Sequence, residues 1–320
     1  MLRVLMTRTG VPAPEAIDVV EAEVPRPGPG EALVRVLARP INPADLLLLE
    51  GRHVFTPTVP GPVGIEGAGV VEAVGEGSSV PVGARVAVPF GGTWTEHMVF
   101  VSADLIPLPD ALSIEQGAML SVNPFTAAGL LEGLSPGDAV VLDAATSAMG
   151  KMILKLCARR GLRAVGVVRS AEAVPGVEAS GAVAALVDGP DLAARVHEVL
   201  GGGAKRALDA VAGEASGRLF GAVAEGGTLV VYGLLASDSV ILPAAQLVFR
   251  DVTVTGFSRL RGLKALSPER RTAIATELAA LAADGVLDAE VEARYPLKDV
   301  RAALTHHARP GRRGKIMLVS

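Results

Sequence analysis

The stretch 139–170, AVVLDAATSAMGKMILKLCARRGLRAVGVVRS, constrains the fold more than any other. An apolar strand at 139–142 runs into a turn of small residues, Ala145, Thr146, Ser147, Ala148, Met149 and Gly150. A helix follows with Met152, Ile153, Leu156 and Cys157 on one side, and it should stop at Gly161. A second apolar strand, 164–168, leads to Arg169. Strand, tight turn, helix and strand within about thirty residues make a βαβ unit, whose turn falls where a dinucleotide-binding fold holds a pyrophosphate against a helix N-terminus.

Against the Gly-x-Gly-x-x-Gly fingerprint, Ala145 takes the first glycine position and Ser147 the second. Only Gly150, the glycine that lets helix and strand pack closely, is kept. Context supports the reading, because the turn follows a strand and opens a helix, and Ser147 adds a hydroxyl donor for a phosphate oxygen. A βαβ unit of some other α/β protein is the alternative. At the end of the second strand, where an acidic side chain would bond a ribose 2′-hydroxyl, Arg169 stands instead, followed by Ser170. A guanidinium can hold a 2′-phosphate through paired charge-assisted bonds, whereas an aspartate would repel it. NADPH is therefore favoured over NADH, against the alternative of a solvated arginine at a strand end.

A chain of 320 residues can bury two cores. Its net charge of −4 comes without a basic stripe, so neither nucleic acid nor an anionic membrane is expected as a partner. Apolar stretches are strand-length or broken by Gly, Pro and charges; no signal peptide or membrane span is expected, and the protein reads as cytoplasmic. The single cysteine, Cys157, excludes an internal disulfide framework and reads as a small core residue. The histidines, His53, His97, His197, His306 and His307, have no ligand spacing, and no metal is expected.

From residue 1 to about 110 the pattern is short strands split by Pro and Gly, at 1–6, 32–39, 67–74, 84–88 and 93–101, which predicts a barrel-like β domain. A helical stretch begins near Ser113, where Ser113 and Gln116 have capping-box spacing, and continues through Asn123 and Thr126 to Glu132. After the βαβ unit, strands at 183–187, 206–210, 228–232 and 252–255 alternate with helices, which means a parallel sheet covered on both faces. A helix at 268–284, a strand at 290–295, a helix from about Lys298 and a closing strand at 315–319 are too few for a third domain. They are expected to complete the first one, so that a doubly wound domain is inserted in a split β-rich domain.

Taken together, NPADLLLLEG, GIEGAGVVEAVGEG, VNPFTA, DAATSAMG, GVVRS, LDAVAGE, GGTLVVYG, VTGF and GRRGKIMLV resemble the medium-chain dehydrogenase/reductase superfamily over essentially the whole chain. The motifs look most like its zinc-independent branch, the 2-enoyl thioester reductases and related quinone oxidoreductases. The resemblance implies an α/β fold in which a Rossmann doubly wound parallel sheet domain, 121–258, is inserted in a GroES-like β-rich domain, 1–120 and 259–320. Where the zinc alcohol dehydrogenases carry a His-Glu pair, this chain has Ile65-Glu66, and the cysteines of those enzymes are missing. One carboxylate does not make a zinc site.

The activity implied is hydride transfer from NADPH to the β-carbon of an α,β-unsaturated carbonyl or to a quinone, with protonation of the product. The alternative is a protein of the same fold that binds NADPH as a sensor or structural element with little reductase activity. In the enoyl reductases a tyrosine on the loop after NPAD...EG delivers the proton, whereas this chain has Gly51-Arg52-His53 there, and Tyr232 and Tyr295 lie in other motifs. His53 could take over that task, since an unperturbed imidazole titrates near neutrality, or it could be a solvated loop residue. Asn42 matches the family position on the nicotinamide side of the cleft and otherwise forms an Asn-Pro turn. The resemblance gives Thr126 a nicotinamide contact and assigns cofactor contacts to the turn 145–150, to Asn123, to Arg169, to Tyr232 and Gly233, to Phe257 and to Lys315. Helix packing, ordinary core and a solvated strand end are the alternatives for Thr126, Phe257 and Lys315. Trp94 and Phe55 are assigned to the substrate side, with a β-domain core as the other reading of Trp94. A homodimer is implied, formed by pairing of the edge strand 252–255 across a two-fold.

Overall fold

Alternating and Pro-punctuated apolar segments at the N-terminus become β1 (Leu2–Met6), β2 (Ile17–Glu21) and β3 (Glu31–Pro40), followed by α1 (Pro43–Leu49) and β4 (Gly61–Pro62). Next come β5 (Gly67–Val74), β6 (Arg85–Val88), β7 (His97–Val101), β8 (Ile106–Pro107) and α2 (Ile114–Ala118). The computed structural model describes residues 1–320 apart from 54–57, 89–90, 288, 310 and 312–313 and the side chains of 264, 265 and 268. The chain then forms α3 (Asn123–Leu130), β9 (Ala139–Leu142), α4 (Ala148–Arg159), β10 (Arg163–Val168), α5 (Val174–Glu178) and β11 (Ala184–Val187). These are followed by α6 (Leu192–Leu200), β12 (Ala204–Asp209), α7 (Glu214–Gly221), β13 (Val223–Val231), α8 (Ala244–Phe249), β14 (Thr253–Gly256) and α9 (Arg259–Ala265). It closes with α10 (Pro268–Ala283), β15 (Val291–Pro296), α11 (Val300–His307) and β16 (Lys315–Val319).

Two compact units result, Met1–Val122 with Thr272–Ser320, and Asn123–Arg271. The second crossing falls in the first turn of α10 rather than near residue 259, because Phe257 and α9 stay with the second unit: a Cβ on Gly129 of α3 would stand 2.7 Å from the Phe257 ring. In the first unit a sheet of order β15-β16-β3-β5-β6-β8, with β7 also on β3, accompanies a smaller sheet β2-β1-β4. The C-terminal strand β16 pairs antiparallel to β3, with Met317 opposite Pro40, which brings the chain's last strand beside the start of α1.

The second unit is a six-stranded sheet of order β11-β10-β9-β12-β13-β14, parallel throughout. This is the doubly wound order, and its direction reverses between β10-β9 and β12, the point at which such sheets open a crevice for a ligand. Its core gathers Val141, Val165, Val196, Leu219, Phe220 and Leu229. Cys157 on α4 is buried, and burial pushes its thiol up to about 12, so it packs as an apolar residue. Among the described residues no helix is long and apolar enough to cross a membrane.

Three local expectations are corrected. The strand β2 arises from IDVVE, which a Pro-rich neighbourhood disguises, and it pairs along the whole of β1. The segment 93–101 is strand only from His97, since Trp94 and Thr95 turn to bridge toward β1. The single helix from Ser113 to Glu132 is two helices, α2 and α3. It breaks at 119–122 because Val122 N–H and the Ser121 hydroxyl donate to Glu66 Oε2, at 2.8 and 3.1 Å, instead of following helical geometry.

Candidate active site

In the second unit the site grows from the turn after β9. Ala144 takes a left-handed φ of 45°, and Ser147 caps α4 by accepting from Gly150 N–H at 3.0 Å. That bond uses an acceptor lobe of the Ser147 hydroxyl and leaves its hydrogen free to donate. The N–H groups of Ala148 and Met149, in the first turn of α4, take no acceptor among the described residues. Gly150 is obligatory, since a Cβ would stand 2.5 Å from Ala144 O. Ala145 is tolerated at the first glycine position because β10 offers Gly166 opposite; a Cβ there would come within 3.0 Å of the Ala145 methyl. The missing glycine of the fingerprint has thus moved to the neighbouring strand.

The turn borders a cavity of about 380 Å³ at the carboxyl ends of β9, β10, β11 and β12. Thr146, Ser147 and Arg169 line it. So do Asp143, Asp188 and Arg218. The two arginines differ. Arg218 is spent in a two-pronged pair with Asp188, Nε to Oδ1 at 2.7 Å and Nη2 to Oδ2 at 2.6 Å, which raises its pKa. Arg169 is exposed, and among the described residues its guanidinium has neither hydrogen bond nor ion pair. Unsatisfied helix N–H groups, a free hydroxyl hydrogen and a free guanidinium around one cavity fit a dinucleotide carrying a 2′-phosphate.

Tyr232 and Gly233 follow β13, with Tyr232 N–H donating to Asp209 O at 2.8 Å. The Tyr232 hydroxyl is buried without a partner among the described residues, and burial, with the charges of Asp143 and Asp209 behind it, raises its pKa. Asn123 and Thr126 lie on α3, and Phe257 packs its ring tip on Gly129 of that helix.

In the first unit Asn42 precedes α1 and is 2 % exposed. Its Nδ2 donates to Glu66 Oε1 at 3.0 Å and its Oδ1 accepts from Lys315 Nζ at 2.6 Å, so the amide is held at both ends. Glu66 also receives Ser121 and Val122, and Asp45 Oδ2 accepts from Asn42 N–H at 2.8 Å. Burial pushes the Asp45 carboxyl up to about 7; the Asn42 N–H bond lowers it, the Glu66 charge raises it and the Lys315 ammonium lowers it. Lys315, expected on the cofactor phosphates, is 7 % exposed and is committed to this buried network, because β16 runs beside β3 and delivers it to α1.

Trp94, expected on the substrate side, is fully buried in the core with Val4, Ile41 and Val63. Gly64 admits the indole, since a Cβ there would lie 2.3 Å from its Cδ1. His53 lies on the loop that Gly51 (φ 69°) turns out of α1, with its N–H on Leu47 O at 3.1 Å. Phe55 lies outside the described residues. Residues not singled out from sequence are Asp45 and Glu66 as partners of Asn42, and Asp143, Asp209 and the Asp188–Arg218 pair; the signal for the last three is an acid at the carboxyl end of each of three parallel strands.

Comparison with known proteins decides the family. Residues 28–110 match the alcohol dehydrogenase GroES-like domain, and residues 148–280 the zinc-binding dehydrogenase family. The mitochondrial enoyl-[acyl-carrier-protein] reductase of Bos taurus is 32 % identical over 94 % of this chain and 84 % of its own. The chain belongs to the medium-chain dehydrogenase/reductase superfamily, in its zinc-independent branch. Among solved structures, a putative NADPH:quinone reductase from Bacillus thuringiensis superposes with a TM-score of 0.91 at 26 % identity, covering 100 % of this chain and 98 % of that one. A mycobacterial protein solved in complex with NADPH gives 0.87 at 25 % identity over 100 % of both chains. In this superfamily fold the Glu66 carboxylate serves Asn42, Ser121 and Val122 through its hydrogen bonds.

Proposed function

We propose that this protein is a zinc-independent, NADPH-dependent reductase of the C=C bond of an α,β-unsaturated carbonyl, a 2-enoyl thioester or enone, or of a quinone. The observation that carries the reading is the Bos taurus likeness over nearly the whole chain, joined to a dinucleotide cavity whose unpaired cation is Arg169. Bound NADPH supplies a hydride from nicotinamide C4 to the β-carbon of the acceptor, leaving NADP⁺, while a proton reaches the α-carbon.

Arg169 holds the 2′-phosphate, and the Ser147 hydroxyl with the Ala148 and Met149 N–H groups holds the pyrophosphate. Asn123, Thr126, Tyr232, Gly233 and Phe257 serve the nicotinamide end. His53 delivers the proton, and Asn42, its amide fixed by Glu66 and Lys315, orients the reacting carbonyl. The test follows NADPH oxidation with a medium-chain enoyl-CoA, a simple enone and a quinone, with and without chelator. Turnover on at least one acceptor, insensitive to chelator, is expected; none on any of the three would favour a cofactor-binding protein without reductase chemistry. His53→Phe should slow turnover about a hundredfold with NADPH affinity unchanged, and unaltered turnover would remove His53 from the mechanism.

The cytoplasm is the proposed location, in keeping with a buried, unpaired Cys157. A homodimer is the proposed assembly. Among the described residues β14 pairs with β13 alone and all four of its residues are exposed, while α8 buries none of its residues and leaves Phe249 85 % exposed. Pairing of β14 with its copy would remove this edge. Val254→Lys is therefore expected to convert a dimer to a monomer in size-exclusion chromatography with light scattering; a monomeric wild type would refute the assembly.

A further inference from the structure

Asp143 directly follows β9 and Asp209 ends β12, on either side of the crevice where the strand order reverses. The strands are in register at Leu142 and Leu208, so the two acids occupy the next rung side by side. Both are buried, at 4 % and 0 % exposure. Asp209 is satisfied as a carboxylate, with Oδ1 accepting from Val211 and Ala212 N–H at 2.9 and 2.8 Å and Oδ2 from the Ser216 hydroxyl at 2.5 Å. Asp143 Oδ1 accepts from Ala210 N–H at 2.7 Å and the Val211 backbone N–H also favours its carboxylate, while its Oδ2 is buried with no hydrogen-bond partner among the described residues. Between two such carboxylates in contact the second ionisation is disfavoured, so the pair keeps one proton well above the ordinary aspartate range. Burial first and the Asp209 charge second push Asp143 up to about 8, which makes it the proton carrier of the pair.

Asp143 also lines the dinucleotide cavity. Among the described residues, the other charged groups lining the cavity are the Asp188–Arg218 pair, which cancels itself, and Arg169 at the rim, while Tyr232, near Asp143, is held neutral. A change in the Asp143–Asp209 charge therefore goes uncompensated beneath the ligand.

We propose that Asp143 and Asp209 share one proton, and that this proton is a determinant of cofactor binding: the crevice accepts the anionic dinucleotide while the pair carries a single negative charge and releases it when the pair carries two. The proposal rests on the dinucleotide reading of the cavity. By linkage, binding then takes up a proton above neutrality, and the Kd for NADPH should rise about 25-fold between pH 7.5 and 9.5. Asp143→Asn keeps the shape and removes the proton; whatever its Kd at pH 7, that Kd should change less than about threefold across the same range.

Titration calorimetry of wild-type protein with NADPH at pH 8.5, in buffers of different ionisation enthalpy, reads proton uptake directly without a variant, and uptake of more than half a proton is expected, to order of magnitude about one. Binding with a flat Kd and no proton uptake would overturn the proposal and leave the cofactor assignment standing. Equal pH dependence in Asp143→Asn would overturn it as well. Failure of NADPH to bind at pH 7 would overturn the cofactor reading and this proposal together.

Discussion

Arg169→Ala is expected to raise the Kd for NADPH about 30- to 150-fold and to leave that for NADH within about twofold, as read by fluorescence titration of the reduced nicotinamide. The size follows from one two-pronged, charge-assisted contact to a phosphate, worth about 2–3 kcal/mol. Its selectivity follows from position. Arg169 directly follows β10, where an acidic residue would otherwise meet the ribose, and its guanidinium has no partner among the described residues to give up. Arg218, in the same cavity wall, would have to abandon Asp188 to compensate. Arg169→Lys keeps the charge without the planar fork and should fall between wild type and alanine. Equal losses for the two cofactors would instead assign Arg169 to the pyrophosphate.

The cofactor half of the site was legible in the sequence because its signals are local. A strand, a turn of small residues, a helix and an arginine at the next strand end all lie within 139–170, and the βα alternation that follows marks the sheet as parallel. Even there the degenerate fingerprint made physical sense only once Gly166 was seen opposite Ala145, since pairing between strands sets that contact.

The other half depends on long-range neighbours. Glu66 breaks a helix more than fifty residues downstream through Ser121 and Val122, and hydrophobic periodicity has no access to such a bond. Lys315 looked like a solvated or phosphate-seeking lysine on a terminal strand until the β16–β3 register set it against Asn42. Trp94 could wall a cleft or fill a core, and the choice was made by Gly64, thirty residues earlier. Asp143, just past the strand 139–142, and Asp209, inside the strand 206–210, carry no local signal that joins them, and they become a pair only through the β9–β12 register.

Lys315→Met should have the largest effect on stability, lowering the unfolding free energy by about 3–5 kcal/mol in urea denaturation at pH 8. Lys315 is 7 % exposed, and its ammonium donates to Asn42 and acts on Asp45, so its removal leaves buried acidic groups without their cation. The sign of the pH dependence is fixed by Asp45. Its folded pKa of about 7 lies above the ordinary aspartate value, so the folded state holds a proton that the unfolded chain has lost, and stability falls as pH rises from about 4 through 7. Lys315 is one of the groups holding that pKa down; without it the fall extends to higher pH, and the loss in Lys315→Met should be greatest in alkali and shrink toward pH 5. Glu66→Gln in the same chain removes one of the stranded charges and should return part of the lost stability, a non-additivity expected of groups in one network. A loss independent of pH, with no recovery in the double variant, would mean that Lys315 contributes through packing of its methylene chain and that the buried charges are balanced without it.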